Sequence, residues 1–418
     1  MRASSPTEAT TRMTVHTVAL EEPVDLVASL ADSKGYLWVR GDNGMVGWGE
    51  AARIEVGAGP GRFDDAVDEL ANTFASFDVD DDVQTAGTGP VAFGSFTFDD
   101  ASTGSVLVVP KIVIGRADGR AWMTIAGRAP APILRTTVAA RSDDDRIRYA
   151  GSTIPEIAWL EAVATAVDSI RRGDLDKVVL ARDLLVWSKV PFDTRTLAHR
   201  LAAGFPDCYT FACEGLVGAT PELLVRRIRD EVTSLVLGGS ARRGNTSGED
   251  GRLGAELLSS PKDRHEHSLA VDSVRACLEP LCPRLEIDPE PWLLQLANVQ
   301  HLATNVRVEP AWSHTSLQLA GLLHPTAAVC GTPNDAAGAA IGALEGLDRG
   351  RYAAPVGWVD SRGDGEWGIA LRCAELNGNR ARLFAGAGIV DGSVPEEELE
   401  ETRLKLRAMQ GALEASAT

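Results

Sequence analysis

A few charged residues in this chain stand where solvent-facing charge is out of place, and these could do chemistry. Lys177 opens KVVLARDLLVW, a run that reads as a strand apolar on both faces and therefore buried. A lysine at a strand end commonly snorkels to water. Held inside, its desolvation would favour the neutral amine, which can act as a general base. Glu222 follows Pro221 in GATPELLVRR, ahead of another strand, and is either a turn carboxylate or a general acid. Glu266 lies in SPKDRHEHSLAVDSV. On a helical wheel it shares its side with Asp263, Ala270, Val274, Cys277 and Leu281, so the carboxylate turns inward near the helix start. The positive end of the helix would suffice to stabilise it there. The alternative is a hard cation shared with a second carboxylate, since magnesium uses one or two carboxylates and keeps water or substrate oxygens.

The segment LFAGAGIVDGSVPEEELEETRLKLR reads as an apolar run broken at Gly386-Ala387-Gly388, then a helix. Ser393 and Glu396 have capping-box spacing, and Pro395 suits the first turn. Glu398, Glu401 and Lys405 share one face of that helix. Two carboxylates and an ammonium behind a bare glycine loop can bind a metal and an anion together. A solvated face with a Glu401–Lys405 pair is the commoner arrangement. Arg372 falls in 366–376, read as one strand with Trp367, Ile369, Leu371 and Cys373 on one face and Gly368, Ala370 and Ala374 beside Arg372 on the other. A guanidinium over so small a floor has room for a ligand carboxylate; an ion pair with a protein carboxylate is the equal alternative. Gly238-Gly239-Ser240 is a second glycine break, either an ordinary turn or a set of N–H groups for an anion.

The elements that must position these residues fall into two stretches. Residues 1–150 read as a strand-rich part of one fold: a hairpin around Gly41–Gly44, a helix at 63–77 ending at the acidic patch Asp78, Asp80, Asp81 and Asp82, and strands at 91–98, 105–114 and 121–125. A loop at 141–146 marks the end. Residues 151–413 carry the candidate residues above and are the candidate catalytic region. Helices are expected at 156–172, 194–203, 260–282 (Ser260 as N-cap, Pro261 at N1), 316–323 and 334–344. Strands are expected at 177–187, 208–214, 223–229, 235–240, 299–308, 356–360, 366–376 and 380–385. The fold class is α+β, with large antiparallel sheets and helices packed outside.

With 418 residues, 44% of them apolar, the chain can bury a large core. Net charge of −18 argues against nucleic acid and against an anionic membrane as partners, although a metal ion can reverse the field inside a cleft. Six cysteines without a CxxC pair form neither a disulfide framework nor a zinc site, which suits reduced thiols in a cytoplasmic protein. No run of 18 apolar residues occurs.

Taken in order, KVVLARD, TPELLVRR, LGGSARRG, SPKDRHEHSLAVDSV, VQHLATNV, LHPTAAVCGTP, RGRYAAPVGWVD, IALRCAEL and GAGIVDGSVPEEELEET resemble the chorismate-utilising enzymes. That family comprises isochorismate and salicylate synthases and the large subunits of anthranilate and aminodeoxychorismate synthases. The resemblance implies an anthranilate synthase component I-like fold and a magnesium ion held by Glu266 and Glu401, with Glu398 and Asp263 close by. It implies that Gly239, Ser240, His301, Ala328, Tyr352, Arg372, Gly386, Gly388 and Lys405 hold chorismate. Lys177 is then the base that activates water, and Glu222 the acid that protonates the departing ring hydroxyl. Lysine at 177 resembles the water-using branch, Gly238 stands where aminodeoxychorismate synthases carry a nucleophilic lysine, and the small Ala328 is similar to isochorismate synthases. The expectation is a monomeric isochorismate synthase, feeding menaquinone or siderophore synthesis. A salicylate synthase, which also eliminates pyruvate, and a non-catalytic chorismate-binding regulator are the alternatives.

Overall fold

The computed structural model describes residues 12–21, 24–30, 34–128, 147–309 and 314–414. Two large, mainly antiparallel sheets dominate it, one of 13 strands and one of 10. Between them lies the main core, where Trp38, Phe211 and Leu216 of the larger sheet meet Phe93, Val225 and Trp367 of the smaller. The fit is close enough that a Cβ on Gly368 would sit 2.8 Å from the Trp38 ring. Both sheets draw on both ends of the sequence. Tyr36–Arg40 pairs with Tyr209–Cys213 in the larger, and Val91–Ser95 pairs with Pro355–Asp360 in the smaller.

Helices cover the remaining faces. Thr194–Gly204 and Pro395–Glu414 pack on the larger sheet through Leu197, Leu201, Leu406 and Met409. Glu156–Arg171 and Asn334–Leu344 pack near the Lys177–Trp187 strand. Pro261–Leu278 lies against the strands Glu231–Arg242 and Val299–Glu309, and its start is fixed by Ser260, whose side chain accepts from the Asp263 N–H.

Several expected elements differ. The run at 105–114 is two strands, Ser105–Val109 and Ile112–Ala117, and they belong to different sheets. Pro110 has no N–H for a ladder, so the chain leaves one sheet there. The run at 366–376 also divides, into Gly365–Ile369 in the smaller sheet and Cys373–Asn377 in the larger, with Arg372 at φ +48° between them. Single-strand alternation therefore does not describe the surroundings of Arg372. Gly386-Ala387-Gly388 is no break: Arg380–Ile389 is continuous through it and pairs with Lys177–Trp187. The acidic patch is not a helix end but the edge strand Phe77–Asp81, parallel to Met13–Leu20. Ser393 does not cap the last helix; its hydroxyl accepts from the Val390 N–H at 3.1 Å. The strand Leu216–Thr220 and the helix Ser247–Ser259 were not anticipated. The expected loop at 141–146 lies outside the described residues.

Candidate active site

A cleft with about 710 Å³ of empty space opens where the two sheets, the Pro261–Leu278 helix and the Pro395–Glu414 helix converge. Of the residues singled out in the sequence, Glu222, Gly239, Ser240, Glu266, His301, Ala328, Tyr352, Arg372, Gly386, Gly388, Glu401 and Lys405 line it. Lys177, Asp263 and Glu398 do not line it; Lys177 lies against Gly388 and Asp263 against Gly239 of the lining.

Lys177 is fully buried at the start of its strand, which is held between Gly331–Thr332 and Arg380–Ile389. Its Nζ lies 3.2 Å from Glu266 Oε1 but off-line for a hydrogen bond, so this buried amine has a carboxylate beside it without a directed bond. Gly388 lies under the pair. A Cβ there would come within 2.1 Å of Glu266 Oε1 and 3.1 Å of Lys177 Cε. Its neighbour Gly386 faces the Tyr352 hydroxyl, 3.1 Å from where a Cβ would be. Neither glycine has a positive φ, so the constraint comes from what lies over the strand: a Cβ at Gly388 would displace the Glu266 carboxylate, and one at Gly386 would crowd Tyr352.

Glu222 occupies the crossing between Leu216–Thr220 of the larger sheet and Leu223–Ile228 of the smaller. Its backbone N–H bonds to Thr220 Oγ1 and its carbonyl accepts from the Ile369 N–H. Burial pushes its carboxyl up to about 8, against the pull of Lys177, Lys405 and Arg372 in the opposite direction. At neutral pH it is therefore a carboxylic acid.

Arg372 is buried, and among the described residues no carboxylate lies within ion-pair distance of it. Its Nη2 is 3.0 Å from His301 Nε2. A guanidinium can only donate, so Nε2 is the acceptor and Nδ1 carries the imidazole hydrogen. That Nδ1 is 3.0 Å from the Gly239 carbonyl and 3.1 Å from Ser240 Oγ. Burial and the adjacent Arg372 push His301 down to about 3, which keeps it neutral. Gly239, at φ +62°, forms a bulge in Glu231–Arg242 that presents Ser240 and its own carbonyl to His301. Gly238 is pressed against the Pro261–Leu278 helix, a Cβ there falling 2.9 Å from His267 Cα, so no side chain fits.

Four carboxylates gather at one end of the cleft. Glu401 pairs with Lys405 at 2.6 Å, and Lys405 also donates to the Gly386 carbonyl at 2.9 Å. Glu398 is buried and pairs with Lys262 at 2.7 Å. Asp263 and Glu398 are both pushed toward the protonated form, first by burial and then by negative neighbours, Glu266 and Glu401 for Asp263 and Glu401 for Glu398. Glu266, Glu398 and Glu401 each have a lysine within ion-pair distance, and the hard oxygen donors of the group are of the type a divalent cation takes. Among the described residues no three His, Cys, Asp or Glu converge closely enough to hold a metal ion by themselves.

Sequence reading missed the apolar walls Val179, Leu237, Leu371 and Phe384, the last stacked on Tyr352 at 5.1 Å. It also missed the Lys262 partner of Glu398 and a buried Glu345–Arg349 pair beneath the site. The i,i+4 spacing of that pair, in the segment AIGALEGLDRG where Asp348 is the only other charge, was the available signal.

The family described as chorismate binding enzyme matches residues 5–414, and the chain belongs to that family. Within it, isochorismate synthase DhbC of Bacillus subtilis (strain 168) is 45% identical over 267 residues, 61% of this chain and 67% of that one. Isochorismate synthase EntC of Escherichia coli (strain K12) is 36% identical over 326 residues, 77% of this chain and 80% of that one. The structure of MenF, the menaquinone-specific isochorismate synthase of Escherichia coli, matches with a TM-score of 0.80 at 23% identity, covering 96% and 95% of the two chains. This last likeness speaks to the fold, an α+β arrangement of large antiparallel sheets.

Proposed function

We infer that this chain is an isochorismate synthase, converting chorismate to isochorismate. Water adds to one ring carbon, the double bonds shift, and the hydroxyl on another carbon departs, so atoms balance without a further reactant. In the proposed division of labour Lys177 takes the proton from water and Glu222 gives one to the leaving hydroxyl. Arg372, fixed by His301, grips a substrate carboxylate together with Lys405 and Tyr352. Glu266 and Glu401 would hold magnesium, with Asp263 and Glu398 close by; bound there, the ion would neutralise the ring carboxylate and the charge near it. Lack of space at Gly238 supports direct water attack over a covalent intermediate on an amine at that position.

The observation that carries this reading is a buried amine beside the cleft and a protonated acid lining it, brought from separate elements, with a guanidinium in the lining that has no carboxylate partner among the described residues. The proposed setting is the cytoplasm. No described helix is long and apolar enough to cross a membrane. A monomer is proposed as the simplest state. Incubation with chorismate and magnesium, followed by product identification, tests the function. Isochorismate is expected; fluorescent salicylate with pyruvate would reassign the chain to the lyase-active branch, and unchanged chorismate would leave a binding protein.

A further inference from the structure

Part of one edge of the strand that carries Lys177 is completed by side chains, where no other strand pairs with it. Arg380–Ile389 pairs with the opposite edge from Val178 to Trp187. On the near edge Gly331–Thr332 covers only Lys177 and Val178, and Arg148–Gly151 takes over only at Leu185. Between these, the backbone groups of Val179 and Ala181 point into the protein and need partners. The Val179 N–H donates to the Cys330 carbonyl at 2.7 Å, and the Val179 carbonyl accepts from Arg349 Nη2 at 2.8 Å. The Ala181 N–H donates to Glu345 Oε1 at 2.7 Å, and the Ala181 carbonyl accepts from Trp159 Nε1 at 3.1 Å.

The guanidinium does more than close that edge. Arg349 Nη1 donates to the Val329 carbonyl at 2.8 Å, its Nε lies 2.9 Å from Glu345 Oε2, and it sits 4.1 Å over the Phe98 ring. The backbone carbonyl of Arg349 accepts from the Tyr352 N–H at 3.0 Å. Glu345 and Arg349 are 1% and 3% exposed, and neither lines the cleft. Three segments that do line it, at Val179, Val329 and Tyr352, are thus tied to one ion pair. Buried pairs are weak evidence for stability, because apolar residues of similar volume often serve as well. An apolar replacement, however, cannot bond two carbonyls on separate segments.

We propose that Glu345 and Arg349 are positioning residues that set the spacing between the Lys177 strand and the Ala328–Val329 wall, and so govern turnover and not affinity. The proposal rests on the isochorismate synthase reading with Lys177 as base. The misplacement of a catalytic group is felt in the reacting geometry, whereas Arg372 lies on another segment and Tyr352 is held through the Arg349 backbone carbonyl, which neither variant removes. Arg349→Lys keeps the charge but loses the planar fork that reaches Val179 and Val329 together. Glu345→Gln keeps the shape and an oxygen for the Ala181 N–H.

Both variants and the wild type are to be assayed for chorismate turnover with magnesium, below their measured unfolding temperatures. For Arg349→Lys, kcat is expected to fall about tenfold or more, with KM within about twofold of wild type. Glu345→Gln should show a smaller fall of the same kind. Unchanged kcat in the folded variants, or a rise in KM with kcat held, overturns the proposal. Should Arg349→Lys not fold, the same split in Glu345→Gln decides it. The wild-type control keeps two failures apart: an inactive wild type refutes the function, whereas an active wild type with unaltered variants refutes only the positioning role.

Discussion

Glu222 carries its proton at neutral pH because the fold surrounds it with too little to replace lost water. Lys177, Lys405 and Arg372 nearby favour the carboxylate, yet burial outweighs them and the carboxyl is pushed up to about 8 from an ordinary 4.5. Between those values the unfolded chain is ionised and the folded one is not. The folded state therefore holds the extra proton, and stability falls as pH rises from about 4.5 through about 8. Glutamine has no such proton. Glu222→Gln is expected to lose about 10²–10⁴ in kcat while still binding chorismate. It should also gain stability over wild type as pH rises, by roughly 3–5 kcal/mol at most. Denaturant unfolding on either side of that window measures the gain, and a difference independent of pH would refute the raised acid. Wild-type activity should decline as pH passes about 8, when the acid loses its proton. Little of this was legible beforehand. Pro221 and the apolar run after Glu222 placed it near a strand, but burial of its carboxyl depends on the other sheet.

At the scale of elements, the Arg380–Ile389 strand is where the local signal misled most usefully. Paired glycines suggested a loop, because glycine usually marks a place where other residues cannot follow the backbone. Here the backbone is ordinary strand, and the constraint lies above it, in Glu266, Lys177 and Tyr352. Gly388→Ala is expected to push the Glu266–Lys177 pair apart and lower kcat about 10²-fold. Gly392→Ala, with nothing within 4 Å of the added carbon, serves as the control and should match wild type. Full activity in Gly388→Ala would show that the close approach is unimportant. The runs at 105–114 and 366–376 failed for a related reason. Period-two alternation identifies a strand but does not say which sheet it joins, and both runs change sheets midway. Pro110 was a visible cue to the first break; the left-handed backbone at Arg372 was not.

At the scale of the whole molecule, the cleft is a product of pairing between distant segments. Lys177 comes from the larger sheet, Ser240 and His301 come from the smaller, and Glu222 lies on the chain passing from one to the other. The fold class was legible because alternation, turns and helix starts recur along the chain. Family order of the motifs pointed to residues that meet in the cleft, from Glu222 to Lys405. Sheet order was not legible, since strands at 36–40 and 209–213 become neighbours only through long-range contacts. The most direct test of an amine and an acid acting on one ring is chorismate turnover by Lys177→Ala in the presence of magnesium. The expected result is a loss of about 10²-fold or more in kcat, with chorismate binding and the unfolding transition retained. Turnover close to that of the wild type would contradict it.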